Sequence, residues 1–352
     1  MNMIGWKCGF EIELLAPAGL TRADLAAAYA ARIGSQSRRL FHPQAEPRIG
    51  GGAAVFETLT LGYAVPATEQ GVGAKFVDDL TIRSDLDRNA AAVPGWYRLA
   101  VDDIRLARLL ELHCDPADGL EDVLVPAIPI FGGSTDTNEA GMVRLGDSAG
   151  ATIAIAAPLR GGRERPCEII TAPIETDHLA NLERLLAPAR ELSFLLPAES
   201  AVHVHFDGAP LCDARILQNM VRLFETHRET LREICQTNPN CRRLGPYAQS
   251  VLDVVFADDF ATLDWPEARE RLLGSGLTKY CDFNLVNLVA GHTNKHTLEV
   301  RILGPDLDAA SIVERAALFE RILRFAMSRR NPDEFRLQQG FANRSRSAVN
   351  HA

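Results

Sequence analysis

Three short stretches carry side chains that could do chemistry. Glu11 and Glu13 stand in Gly9-Phe10-Glu11-Ile12-Glu13-Leu14, and His203 and His205 in Val202-His203-Val204-His205-Phe206. Glu299 and Arg301 stand in Leu298-Glu299-Val300-Arg301-Ile302. In each, every second residue is ionisable and its neighbours are branched or aromatic. A β-strand sends successive side chains to opposite faces, so each stretch presents a polar pair on one face and a core-forming set on the other. The two carboxylates of the first stretch would lie roughly 6.5–7 Å apart along the strand. If the three strands are neighbours, one sheet face gathers three carboxylates, two imidazoles and a guanidinium. Carboxylates held that close repel unless a cation sits between them. The pattern therefore points to a metal-bearing, anion-handling sheet face.

Each piece also has an ordinary reading. A lone Glu-x-Glu strand is usually a solvated face. Two His on one strand are as readily a hydrogen-bonded core pair, and Glu299 with Arg301 a cross-strand ion pair. It is the recurrence of the pattern that favours chemistry. Other motifs fail on context. Gly146-Asp147-Ser148-Ala149-Gly150 fits G-x-S-x-G, but a nucleophile elbow needs a helix next, and residues 151–155 alternate like a strand. His292 and His296 have H-x-x-x-H spacing without the Glu after the first His. Gly50-Gly51-Gly52 lacks the following Lys-Ser/Thr of a P-loop, and no G-x-G-x-x-G occurs.

The whole-chain figures set bounds on partners. With 352 residues, 47% hydrophobic, 24% charged and a net charge of −9, the composition is that of a globular protein and argues against a general nucleic-acid binder. Seven Cys without a C-x-x-C pair suggest reduced thiols rather than a disulfide framework or zinc knuckle. Residues 1–8 show no signal-like apolar region and no run is long enough for a membrane span, so a cytoplasmic location is expected.

The elements that must position these residues read as follows. Thr21 and Asp24 open an Ala-rich helix over 25–33 that Gly34 ends. Residues 35–165 read as an elaboration of strands and loops: alternating runs at 53–56 and 76–82, a helix over 103–113, and strands over 123–131 and 151–159. A strand at 168–171 precedes Pro173, and Asp177 starts a helix to about residue 195, with Pro188 inside it. Asp213 to Cys235 forms a long amphipathic helix, Trp265-Pro266-Glu267 begins another, and Asp308 caps a last one to about Arg329. Residues 202–206, 283–289 and 296–303 read as strands. Strands and helices without steady alternation predict an α+β fold with a mainly antiparallel sheet. The expected organisation is a single catalytic domain over 1–340, with 341–352 a disordered polar tail.

Together the motifs resemble the amidoligase family, a branch of the carboxylate–amine ligase superfamily with glutamine synthetase and glutamate–cysteine ligase. The matching pieces are Gly9-Phe10-Glu11-Ile12-Glu13, Cys167-Glu168-Ile169-Ile170-Thr171-Ala172-Pro173, His203-Val204-His205 and Thr297-Leu298-Glu299-Val300-Arg301, in the family's order. Asn284 and Asn287 also look like the family's strand before the last motif. Ala172-Pro173 departs from the more usual double proline. For an acid on a family strand within 35–165, Asp79 competes with Asp102 and Asp103. The resemblance implies a curved, mainly antiparallel sheet with helices on its outer face, and ATP with Mg²⁺ or Mn²⁺ on the inner one. It implies that Glu11, Glu13, Glu168, His203 and Glu299 surround metal ions, that Arg301 contacts the transferring phosphate with Glu299 as its catalytic companion, and that His205 contacts nucleotide or substrate. Arg243, with Arg242, Tyr247, Lys279 and Tyr280, is a secondary candidate for nucleotide, phosphate or substrate contact. The implied reaction joins the carboxylate and amine of small-molecule or peptide substrates through an acyl phosphate. A phosphotransferase on the same site, a metal-dependent hydrolase and a non-catalytic binding module are the competing readings.

Overall fold

A computed structural model describes residues 4–45, 56–291, 295–328 and 330–337. The glycine run at 50–52, the alternation at 53–55, His292 and the 341–352 tail lie outside the described residues. The strands are β1 (Cys8–Leu15), β2 (Arg38–Ala45), β3 (Glu57–Val65), β4 (Ala74–Val77), β5 (Tyr97–Val101), β6 (Ser134–Thr137), β7 (Val143–Gly146), β8 (Thr152–Pro158), β9 (Pro166–Thr171), β10 (Val202–Asp207), β11 (Phe283–Asn284) and β12 (Thr297–Leu303). The fold is α+β with mainly antiparallel pairing, as the sequence predicts. Contacts divide the chain into two compact units. One comprises Met1–Ile12, Pro173–Glu183 and Ser200–Ala352, and the other Glu13–Ala172 and Arg184–Glu199. Among the described residues no helix is long and apolar enough to cross a membrane.

In the first unit the strand order is β11-β12-β10-β1. The period-2 pattern decides its two faces. Phe10 and Ile12, Val202, Val204 and Phe206, and Leu298, Val300 and Ile302 are all buried. Helices cover this apolar side. Phe224, from the helix Ala214–Ile234, stacks on Phe283 of β11 with ring centroids 4.1 Å apart, and both rings meet Phe319 of the helix Ala309–Met327. Burial of each such ring contributes on the order of 2 kcal/mol.

The second unit carries the strand order β9-β4-β3-β5-β8-β7-β6, with β2 paired to β3. Its core gathers Phe41, Leu59, Leu61, Tyr97, Leu99, Val143, Leu145 and Ala156 under the helix Ile104–His113. Thr21 and Asp24 form a reciprocal capping box on the helix Arg22–Arg32. Residues 147–151 form the turn between β7 and β8, where Asp147 accepts from the backbone of Ala149 and Ala151, so Ser148 has no elbow geometry.

Three sequence expectations give way. Residues 123–131 are not a strand but a 3-10 turn, Val125–Ala127, running into the helix Ile128–Phe131. Pro126 and Pro129 lack the N–H that a ladder needs but suit the first turn of a helix. Residues 283–289 hold only the two-residue β11 before a short helix, Val286–Ala290. Here Asn284 Oδ1 accepts from Val286 N at 2.8 Å and turns the chain. The helix expected to reach residue 195 is His178–Glu191 and ends ahead of Ser193, whose φ of 58° is left-handed.

Asp282 ties β11 to its surroundings. This buried carboxylate accepts from Arg228 Nε (2.7 Å), Arg232 Nη1 (2.8 Å) and Gly245 N (2.9 Å), and its carbonyl accepts from Arg301 N (3.0 Å). Removing one partner of a buried ion pair leaves the other uncompensated. Asp282→Ala is expected to lower unfolding free energy by about 3 kcal/mol, read as a fall in the urea midpoint at unchanged slope.

Candidate functional site

Register brings the polar residues of the first unit together. Glu11 of β1 lies opposite His203 of β10, His205 lies opposite Glu299 of β12, and Glu299 lies opposite Asn284 of β11. Between the pairs Val204–Val300 and Val202–Leu303, β12 has one residue more than β10. That irregularity falls at Arg301, whose side chain turns onto its own strand's Glu299.

The contacts are dense. His205 Nε2 lies 3.1 Å from Glu11 Oε1 and 4.0 Å from Glu299 Oε1. His203 Nδ1 lies 3.4 Å from Glu11 Oε2 and 3.5 Å from Glu299 Oε1. Asn284 Nδ2 donates to Glu299 Oε2 at 2.6 Å and Arg301 Nη1 to Glu299 Oε1 at 2.7 Å. Lys295 Nζ donates to Glu11 Oε1 at 3.1 Å, and its side chain is half exposed. Glu11, His203, His205, Asn284 and Glu299 are buried.

Burial by itself would raise both carboxyl pKa values. For Glu11 the imidazoles of His205 and His203 and the Lys295 ammonium outweigh it and hold the group well below the ordinary 4.5. For Glu299 burial and the Glu11 charge push up, but His205, Arg301 and His203 hold the group below that value. Both residues are therefore carboxylates at neutral pH.

Ligand atoms of Glu11, His205 and Glu299 lie within 4.8 Å of one another. Although close to two carboxylate oxygens, His205 Nε2 has no hydrogen-bond partner among the described residues. Its other nitrogen, Nδ1, lies 3.1 Å from Thr297 Oγ1. With Nδ1 engaged by that hydroxyl, Nε2 is aimed at the carboxylates, which is how a metal-binding imidazole is oriented. The 3.1 Å spacing also suits neighbouring positions around an ion with bonds of about 2.1 Å, while the 4.0 Å spacing would have to close for Glu299 Oε1 to be a neighbour of Nε2. The donor set fits a divalent cation.

Residues 5–323 match the family model described as "Putative amidoligase enzyme". The chain belongs to the amidoligase family. No curated protein and no solved structure matches it.

The remaining sequence candidates are placed as follows. Glu13, on β1, and Glu168, which lies opposite Val77 of β4, fall in the second unit. Asp79, in the same unit, is buried; its carboxylate accepts from the backbone and hydroxyl of Thr81, and burial raises its pKa. Asp102 is exposed and Asp103 caps the helix Ile104–His113. Arg243 holds its guanidinium 5.5 Å from the Tyr280 ring centroid. Sequence reasoning gave no role to Lys295 or Thr297. Thr297 alternates with Glu299 and so was findable, whereas Lys295 carries no local signal.

The depressed carboxyl values have a pH signature. A group whose folded pKa lies below its unfolded value stabilises the fold above that unfolded value, and the contribution is lost as pH falls through the folded one. Stability should therefore drop from about pH 4.5 downward. The double variant Glu11→Gln, Glu299→Gln is expected to lose less stability over that window, measured by urea unfolding between pH 7 and pH 3.

Proposed function

We propose that this amidoligase is an ATP-dependent carboxylate–amine ligase acting in the cytoplasm, with Glu11, His205 and Glu299 holding Mg²⁺ or Mn²⁺. The observation that carries the reading is the convergence of the buried His205 Nε2 on carboxylate oxygens of two separate strands, 3.1 and 4.0 Å away. Family membership supplies the ligase class. The sequence reading gave the metal to His203 and the nucleotide to His205; the convergence of Nε2 with two carboxylate oxygens favours His205 as the ligand. An oxygen-rich set suits Mg²⁺, and one imidazole tilts it toward Mn²⁺. Free thiols at all seven Cys accord with a reducing compartment.

The chemistry asks for such a set. A carboxylate is a poor acyl donor. In the proposed reaction a carboxylate oxygen attacks the γ-phosphorus of ATP, the bond to the β-phosphate oxygen breaks, and ADP leaves with its electron pair. The resulting acyl phosphate is attacked by the amine nitrogen. The C–O bond to phosphate breaks, the nitrogen loses a proton, and an amide and inorganic phosphate remain. When bound, the divalent ion would supply charge neutralisation for phosphate oxygens. Arg301 brings a planar guanidinium, suited to bidentate contact with a phosphoryl group. Asn284 keeps one oxygen of Glu299 engaged, so that only Oε1 faces the imidazoles. His203 braces both carboxylates from the adjoining position.

Glu299→Ala and Arg301→Ala are expected to cut ADP formation by about 100-fold or more while the protein stays folded by circular dichroism. A coupled assay with ATP, Mg²⁺ and a mixed pool of carboxylates and amines reads ADP, and mass spectrometry reads a new amide. ADP release at the wild-type rate in either variant would overturn the proposal, as would turnover without nucleotide.

A further inference from the structure

Each carboxylate oxygen facing His205 Nε2 already has a cationic side chain on it. Glu11 Oε1 takes Lys295 Nζ at 3.1 Å and Glu299 Oε1 takes Arg301 Nη1 at 2.7 Å. The two cations differ in their setting. Arg301 is largely buried and set on β12 beside its partner, whereas the Lys295 side chain is half exposed just ahead of that strand. Lys295 can exchange partners at low cost, since a long flexible stem with its ammonium in water loses little on moving.

From this we infer that Lys295 is an exchangeable cation. It neutralises Glu11 when no divalent ion is present, and it moves to a phosphate oxyanion of the nucleoside triphosphate when one is. The inference rests on the metal-binding reading of Glu11, His205 and Glu299. Its physical basis is that one carboxylate oxygen cannot favourably serve an ammonium and a divalent ion at once. Like charges at that spacing repel, and the ammonium is then driven toward the nearest anion. A divalent ion adds two positive charges beside Lys295 and Arg301, which suits a polyanion. Metal and triphosphate then bind with positive coupling, in which Lys295 carries part of the linkage.

The test needs no turnover. Mn²⁺ affinity of the full chain is measured by electron paramagnetic resonance without nucleotide. Affinity for the non-hydrolysable triphosphate analogue AMPPNP is then measured by calorimetry at saturating Mn²⁺. Lys295→Ala is expected to bind Mn²⁺ about threefold or more tighter, because a competitor for Glu11 is gone. It is expected to bind AMPPNP about tenfold or more weaker, because a charge-assisted contact is lost. Lys295→Arg should stay within about twofold of wild type in both, since the charge is kept. Opposite signs from one substitution support the exchange, because a merely structural lysine would weaken both affinities or neither. If wild type binds Mn²⁺ but Lys295→Ala leaves that affinity or the AMPPNP affinity unchanged, the exchange is overturned and the metal site stands. If wild type binds no Mn²⁺ and Glu11→Gln makes no difference, the metal reading falls and takes the exchange with it.

Discussion

Two carboxylates of the first unit, Glu11 and Glu299, are buried and offer oxygens within 4.8 Å of each other. At an effective dielectric near 20, two such charges repel by about 3 kcal/mol. Nothing in a hydrophobic core would hold them there. The surroundings must therefore supply positive charge and hydrogen bonds to match, and they do: Lys295 and Arg301 bring charge, His203 and His205 bring imidazoles, and Asn284 brings an amide. Asn284 and Arg301 take one oxygen of Glu299 each, so the carboxylate has little rotational choice. The outcome is a pair of charged acids at neutral pH in a place where burial alone would raise their pKa values.

Such a cluster stays together only if the strands beneath it cannot slip. A one-residue slip would send His205 to the apolar side and Phe206 to the polar one. The apolar side blocks that with Phe224, Phe283 and Phe319 packed ring to ring. Asp282 adds a second lock at the shortest strand, bonding two arginines of one helix and, through its carbonyl, the amide of Arg301. Two residues of pairing would not otherwise hold Asn284 in register.

How much of this was legible follows from how local each signal is. Alternation in 9–14, 202–206 and 298–302 announced the strands, and their polar faces announced the site. Asp213 and Asp308 announced helix starts, because an aspartate ahead of an apolar period accepts the first free N–H groups, as these two do. Apolar runs misled at 123–131 and 283–289, where hydrophobicity does not separate a strand from a buried turn of helix; two prolines and the capping side chain of Asn284 decided the outcome. Partner choice was not legible. Alternation treats His203 and His205 as equivalent, and only the register shows that His205 faces Glu299 while His203 faces Glu11. Lys295 sits 284 positions from Glu11, and no spacing rule reaches that far.

The division of labour between the two imidazoles shows why strand pairing, rather than residue type, sets the chemistry. The nitrogen His203 turns inward is Nδ1, close to the ring's attachment, and it is bonded to Glu11. The one His205 turns inward is Nε2, at the far tip, with Nδ1 next to Thr297. A tip nitrogen reaches past the strand plane, and the partner of the other nitrogen holds the ring's orientation; a base nitrogen stays near the backbone and serves to brace. One sheet face thus holds a donor aimed outward at a shared point and a donor committed to the frame. Two residues of identical type, one strand position apart on the same face, are made unequal by the neighbours that the antiparallel register assigns them.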